Sequence, residues 1–321
     1  MDEPSAAAEP HPEIPAEAPQ SVPPAGAAVE SPAEEPVGGD EEPEPPPRAL
    51  YRHTLPTRIA HWIVVLCLPI LTLSGFQIFN AHPALYWGDR SDPDRSLFAL
   101  RAVATPSGDL KGVTQVLGVE LDTTGVLGAS RDGDGRLRER GFPGWATIPS
   151  EQWLAMGRRW HFFFAWVLVL TGLSFGLYAV VSRHFTKDLV PWPRDLRTLF
   201  DSIRDHLRFR HPTGDAATRY NVLQKIAYTS VIFGLAPFIV LTGLAMSPRF
   251  DAAAPLVVQA LGGRQSARTL HFLATFAFVG FTLSHLFMVA VTGVVNNVRS
   301  MVTGWFRLPE HGGMEHNDPS D

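Results

Sequence analysis

Cysteine is almost missing from this 321-residue chain, in which Cys67 stands alone. One thiol excludes an intramolecular disulfide, a cysteine-built zinc or iron–sulfur site, and covalent cofactor attachment through a CxxCH motif. Anything the chain binds must be held by other side chains, and its 12 histidines are the obvious reserve. Charge is missing in places too. Residues 1–47 contain no Lys or Arg, yet carry 13 Pro and 12 Asp or Glu. Such a segment cannot bury enough apolar surface to offset its ordering entropy, so 1–47 is expected to be a disordered, acidic, Pro/Ala-rich tail. It also lacks the basic and apolar regions of a secretory signal. Taking its 12 negative charges away from the formal net charge of −5 leaves +7, so the remainder is basic as well as apolar. The mean hydropathy of +0.03 averages over these two unlike parts.

Asp and Glu are absent from four long apolar runs, 59–79, 160–181, 222–246 and 270–295. Each is long enough to cross a bilayer core of about 30 Å as a helix, which takes about 20 residues. Lys225 lies only at the mouth of the third, and Pro69 and Pro237 fall where a kink is tolerated if neighbours satisfy the freed carbonyls. The expected fold is therefore all-α: a four-helix transmembrane bundle spanning 48–307, with a long first loop over 80–159 and a short C-terminal tail over 308–321. The connection 183–219 carries eight Lys or Arg, against three in 247–269. Cationic connections stay in the cytoplasm, which places both termini there and the first loop outside, in the periplasm of a bacterium.

That loop holds an alternating run over 113–121 followed by turn-rich Asp122-Thr-Thr-Gly and Arg131-Asp-Gly-Asp-Gly, a pattern that predicts a β-hairpin. Asp132-Gly-Asp134-Gly lacks the third acidic position and closing Glu of a calcium loop and reads as a turn.

Four histidines, His61, His161, His271 and His285, lie within the apolar runs, where ionisable side chains are costly and mark function. A neutral imidazole offers one nitrogen to a metal while its other N–H is donated elsewhere, and a low-spin haem iron takes one axial ligand on each face. Four histidines can therefore serve two haems, where each alone could be an intramembrane hydrogen bond or, for His61 and His161, an interfacial position. His161 and His271 begin the second and fourth runs, both on the outer side. His285 follows His271 by 14 residues, about 21 Å deeper and only about 40° off the same helix face. That pairs His161 with His271 at the outer level and His61 with His285 at the inner level. Gly75 falls at the outer level, and Gly172 and Gly176 at the inner one. Arg158 and Arg159 flank the outer pair as partners for haem propionates, and Arg52 and Arg58 flank the inner pair, where cytoplasmic anchoring explains them as well as propionate binding does. The remaining eight histidines lie outside the runs and take no ligand role. Asn296, Asn297 and Arg299 offer polar groups near His285. A transporter would show internal repeats or acidic relay residues, and neither is evident.

The residues resemble the di-haem cytochrome b superfamily that supplies membrane subunits to formate dehydrogenases and nickel–iron hydrogenases. That group places one ligand in the first span, one in the second and two, 14 apart, in the fourth, which His61, His161, His271 and His285 match. More narrowly, Arg52-His-Thr-Leu-Pro-Thr-Arg-Ile-Ala-His61-Trp, Phe142-Pro-Gly-Trp-Ala-Thr and Gly157-Arg-Arg-Trp-His161-Phe-Phe-Phe-Ala-Trp resemble bacterial cytochrome b/b6 domain-containing proteins. The resemblance covers about residues 48–307. It implies two haem b groups and electron transfer across the inner membrane between a quinone and a periplasmic molybdopterin-dependent oxidoreductase of the sulfite-oxidase type. It also implies a quinone site at the inner level, where Asn296, Asn297 and Arg299 lie. The partners expected are that enzyme, quinone and membrane lipid, with no nucleic acid. The competing expectation is a self-contained quinone-reducing oxidase of a small reductant such as superoxide, against which the 80-residue first loop argues.

Overall fold

A computed structural model of the chain describes residues 49–182 and 222–308. Among the described residues, four helical spans are long and apolar enough to cross a membrane. The first, α1 (Leu55–Phe79), begins with a proline in its opening turn, where a missing N–H costs nothing. The second, α2 (Leu154–Val181), starts six residues before the apolar run, on the Gly157-Arg-Arg-Trp turn. The third is built in pieces: α3 (Val222–Thr229), a π-helical turn over Ser230–Leu235, and α4 (Ala236–Ala245). Pro237 cannot donate to the preceding turn, and the chain answers with a wider i→i+5 bond, from Ala236 N–H to the Val231 carbonyl. Short helices α5 (Pro248–Ala253) and α6 (Pro255–Ala260) lead to the fourth span, α7 (Arg264–Val291). The fourth span stops short of the expected residue 295. Gly293 adopts φ 101° and starts a separate amphipathic helix, α8 (Val294–Thr303). The spans turn bulky apolar side chains outward, among them Leu173, Leu177, Leu283 and Phe287, as a lipid-facing surface requires. The chain is a multi-pass membrane protein.

The all-α expectation needs correcting in the first loop, which contains six strands. β1 (Ala49–Tyr51) precedes the first span. Then β2 (Ala84–Leu85), β3 (Phe98–Ala104), β4 (Leu110–Val116) and β5 (Val119–Asp122) form an antiparallel sheet in that order, and β6 (Ala129–Arg131) pairs with β7 (Leu137–Glu139). Outside the bilayer the backbone can pair in a ladder, and the period-2 alternation favours it. The expected hairpin over 113–121 is β4–β5, turning at Leu117-Gly118, and the Asp132 segment is the turn of β6–β7. β3–β4, turning through Pro106-Ser-Gly108, is a further hairpin the alternation alone did not single out. At the other end of the bundle β8 (Trp305–Arg307) pairs antiparallel with β1, tying the start of α1 to the end of α8. The expected Arg-rich connection 183–219 and both tails fall outside the described residues.

The loop is bolted to the helix ends. Phe79, Leu85, Leu100 and Phe142 form a buried cluster, with Phe76, Phe98 and Phe272 packed on it. Phe76 stacks on Phe142 at 4.0 Å and Phe79 meets Phe272 at 4.9 Å, so α1, the sheet and α7 share one aromatic plug. Asn80 pairs with the backbone of Phe142 through both its amide groups. Buried Gln77 donates to the Glu151 carbonyl and accepts from Arg140, which also donates to Thr147 Oγ1 at 2.7 Å. The Gly88 carbonyl takes the otherwise unpartnered N–H groups of Gln265 and Ser266 in the first turn of α7.

Candidate functional site: two histidine pairs

The four histidines come together in twos. The His161 ring on α2 lies 6.2 Å from that of His271 on α7, centroid to centroid. The His61 ring on α1 lies 6.4 Å from that of His285, 14 residues further along α7. Among the described residues, His, Cys, Asp and Glu form no group of three that could hold a metal ion. A metal–imidazole bond is about 2.1 Å and the ring centroid lies about 1.1 Å behind its nitrogen, so two rings on opposite faces of one ion stand about 6.4 Å apart. Both pairs have that separation and fit a bis-histidine haem.

Hydrogen bonding settles the tautomer at the level beside the long loop. His161 Nδ1 is 3.1 Å from the Leu71 carbonyl oxygen and 3.1 Å from Ser74 Oγ. His271 Nδ1 is 3.0 Å from the Ile239 carbonyl oxygen and 3.2 Å from Thr242 Oγ1. A carbonyl can only accept, so Nδ1 carries the proton in both rings and Nε2 presents its lone pair, the form a metal takes. Beside each hydroxyl sits a glycine under the ring. A Cβ on Gly75 would stand 3.5 Å from His161 Cε1, and one on Gly243 3.2 Å from His271 Cε1.

At the far level, His61 Nδ1 is buried and has no hydrogen-bond partner among the described residues. His285 stacks against Phe281, and His61 meets Trp62 edge-on. A Cβ at Gly172 or Gly176 would meet nothing within 4 Å. Arg58 Nη1 and Trp62 Nε1 donate to the Val302 and Met301 carbonyls, capping the exposed carbonyl end of α8.

The arginines named from sequence are dispersed. Arg52 lies over the Phe306 ring at 5.0 Å, Arg158 over Phe162 at 5.6 Å, and Arg159 is exposed. Sequence reasoning passed over Arg268, which donates to the His82 carbonyl and covers Phe79 at 5.2 Å. Spacing could have found it: Arg58, Arg158 and Arg268 each precede one of the paired histidines by three residues, one helical turn. Asn296 and Asn297, offered as quinone contacts, are occupied elsewhere. Asn296 pairs with both backbone groups of Arg307, and Asn297 with Thr292 and the Gly293 carbonyl.

An internal repeat, not evident from the sequence alone, underlies the loop-side level. Pro69-Ile-Leu71-Thr-Leu-Ser74-Gly75 on the first span and Pro237-Phe-Ile239-Val-Leu-Thr242-Gly243 on the third present the same carbonyl, hydroxyl and glycine to a histidine of the following span. The repeat lies behind the His161 and His271 rings.

Comparison with known proteins bears on this geometry. The family model described as prokaryotic cytochrome b561 matches residues 52–304. A putative protein-methionine-sulfoxide reductase subunit YedZ1 from Azospira oryzae is 31% identical over 255 residues, covering 77% of this chain and 93% of that protein.

Proposed function

The chain belongs to the prokaryotic cytochrome b561 family, a family of haem b membrane proteins of electron transport, and from that premise we propose that it carries electrons between a quinone and a periplasmic oxidoreductase through two haems. The observation that carries this reading is the pair of histidine pairs, 6.2 and 6.4 Å apart, set 14 residues apart along one helix. His161 and His271 hold the loop-side haem, and His61 and His285 the far-side one. Arg158, Arg159 and Arg268 serve the propionates of the first, Arg52 and Arg58 those of the second. The haems supply one-electron transfer; the protein supplies ligation, a low-dielectric path and exclusion of water.

The loop faces the periplasm and both termini the cytoplasm, in the inner membrane. Residues 80–159 form the face a partner meets, with Trp145 81% exposed next to the Phe142 anchor. The resemblance makes that partner molybdopterin-dependent. The relative's name points to protein methionine sulfoxide as its substrate, reduced by two electrons and two protons to methionine and water while a quinol is oxidised to quinone. Electrons then run outward through this chain.

Purified protein should show a reduced-minus-oxidised b-type spectrum and two haems per chain. The haems should be reduced by a quinol and reoxidised by the co-expressed molybdoenzyme with methionine-sulfoxide peptide present. A chain without haem overturns the reading. Haems that the molybdoenzyme and peptide leave reduced remove the partner.

A further inference from the structure

We propose that Ser74 and Thr242 are positioning residues for the loop-side haem, each accepting a second hydrogen bond from the Nδ1–H of His161 or His271 beside the backbone carbonyl and so setting that haem's midpoint potential separately from the other's. The inference rests on the two-haem reading above. Each hydroxyl has one proton to give. Ser74 Oγ gives it to the Leu71 carbonyl at 3.2 Å, and Thr242 Oγ1 to the Ile239 or Phe238 carbonyl at 3.0 and 2.9 Å. Each oxygen therefore meets its histidine as an acceptor, and each ring N–H is shared between a carbonyl and a hydroxyl that already bond to each other. Back-bonding of this kind often only satisfies a helix's own carbonyl. That does not explain why a ring nitrogen from the next span stands 3.1 or 3.2 Å away in both copies, nor why glycine follows the hydroxyl both times.

Both hydroxyl side chains are 0% exposed, so no water competes and the bond acts at full strength. An acceptor on Nδ1–H pushes electron density onto Nε2 and so favours the oxidised metal. The far level lacks this device at His61, whose Nδ1 is buried without a partner among the described residues. One chain thus has two chemically similar ligand pairs with different second layers, and the hydroxyls act on one level only.

The test is potentiometric titration of Ser74→Ala, Thr242→Val and the double variant, with Ser74→Thr and Thr242→Ser as hydroxyl-keeping controls. The component missing from His161→Ala identifies the loop-side haem. Each deletion should keep two haems and shift the loop-side midpoint upward. The double variant should shift it furthest, with the far-side midpoint unmoved and the controls near wild type. An unmoved loop-side midpoint in the variants with two haems bound overturns the proposal, as do equal shifts of both components. Haem-depleted protein allows a second, independent measurement. Nitrogen-15 NMR should find His161 and His271 as the Nδ1–H tautomer in wild type and, with the Leu71 and Ile239 carbonyls still accepting, in the double variant, whose Nδ1 resonances should move with the lost hydroxyls. A wild type in the Nε2–H form, or Nδ1 resonances unmoved in the double variant, overturns the proposal. Wild-type protein that never contains haem defeats the parent reading instead, a distinguishable result.

Discussion

The two histidine levels share one helix, yet they are built differently. Beside the loop, both rings are pinned through Nδ1, each facing span carries a proline (Pro69 or Pro237) two residues before the accepting carbonyl, and an aromatic plug closes over the top. At the far end, His61 has a buried nitrogen without a partner among the described residues, and packing comes from Phe281, Trp62 and the end of α8. On the proposed two-haem reading, ligand identity is thus the smaller part of the design. A metal site is tuned by what orients its ligands, and here that layer is duplicated by a seven-residue repeat at one level only.

The largest effect that could break the comparison is loss of haem. Pairing predicts that His161→Ala with His271→Ala costs one haem of two, the same as either alone, because both hold the same iron. His161→Ala with His285→Ala should cost both. A pyridine haemochrome assay on inserted, purified protein counts them, and one haem retained in the second combination would show that the pairs are crossed.

A middle-sized effect sharpens the role of the glycines. On Gly243 a methyl group would approach His271 Cε1 to 3.2 Å, and the ring, tied through Nδ1, has little room to yield. Gly243→Ala should destabilise the loop-side site by about 1–3 kcal/mol, the usual cost of overpacking. Gly75→Ala places its methyl at an ordinary 3.5 Å from His161 and should cost less, even offset by the roughly 0.5–1 kcal/mol that Ala gains over Gly inside a helix. Thermal loss of the Soret band ranks them. Equal loss in both variants would mean that the glycines serve helix packing rather than the rings.

How much of this was legible in the sequence follows from what each signal encodes. Hydropathy and the 14-residue spacing are one-dimensional properties, and with the ends of the spans they were enough to put His161 with His271 and His61 with His285. The ends moved where local chemistry outranks hydropathy, as at Gly293, which splits Val294 and Val295 from the fourth span. Ser74 and Thr242 were invisible because a small hydroxyl in a membrane helix usually packs or bonds its own carbonyl. Only the approach of a ring from another span gives them a role. Arg268 was hidden at the helix mouth, where cations ordinarily anchor to headgroups. The strands were half visible: β4–β5 falls on the run 113–121 read as a hairpin, whereas β2, with two residues, carries no period at all.

The smallest expected effect lies in the loop itself, at Leu117. The β4–β5 hairpin turns on two residues with positive φ, Leu117 at 49° and Gly118 at 85°. Such primed turns favour Asn-Gly, because asparagine tolerates the left-handed region and leucine does not. Leu117 also gains nothing by burial, being 75% exposed. Leucine here costs on the order of 1 kcal/mol of backbone strain and leaves an apolar side chain in water at the tip of the loop. Leu117→Asn should therefore stabilise the hairpin by up to about 1 kcal/mol, read as slower amide exchange in β4 and β5, with haem content and both midpoints unchanged. The same variant probes the docking face. If the partner oxidoreductase seats on this tip, its exchange with reduced haem should slow even as the hairpin becomes more stable, separating a recognition role from a folding one. Unchanged exchange would move the docking face away from β4–β5 and toward Trp145. Faster amide exchange in the variant would mean that Leu117 is held by a contact that outweighs its strain.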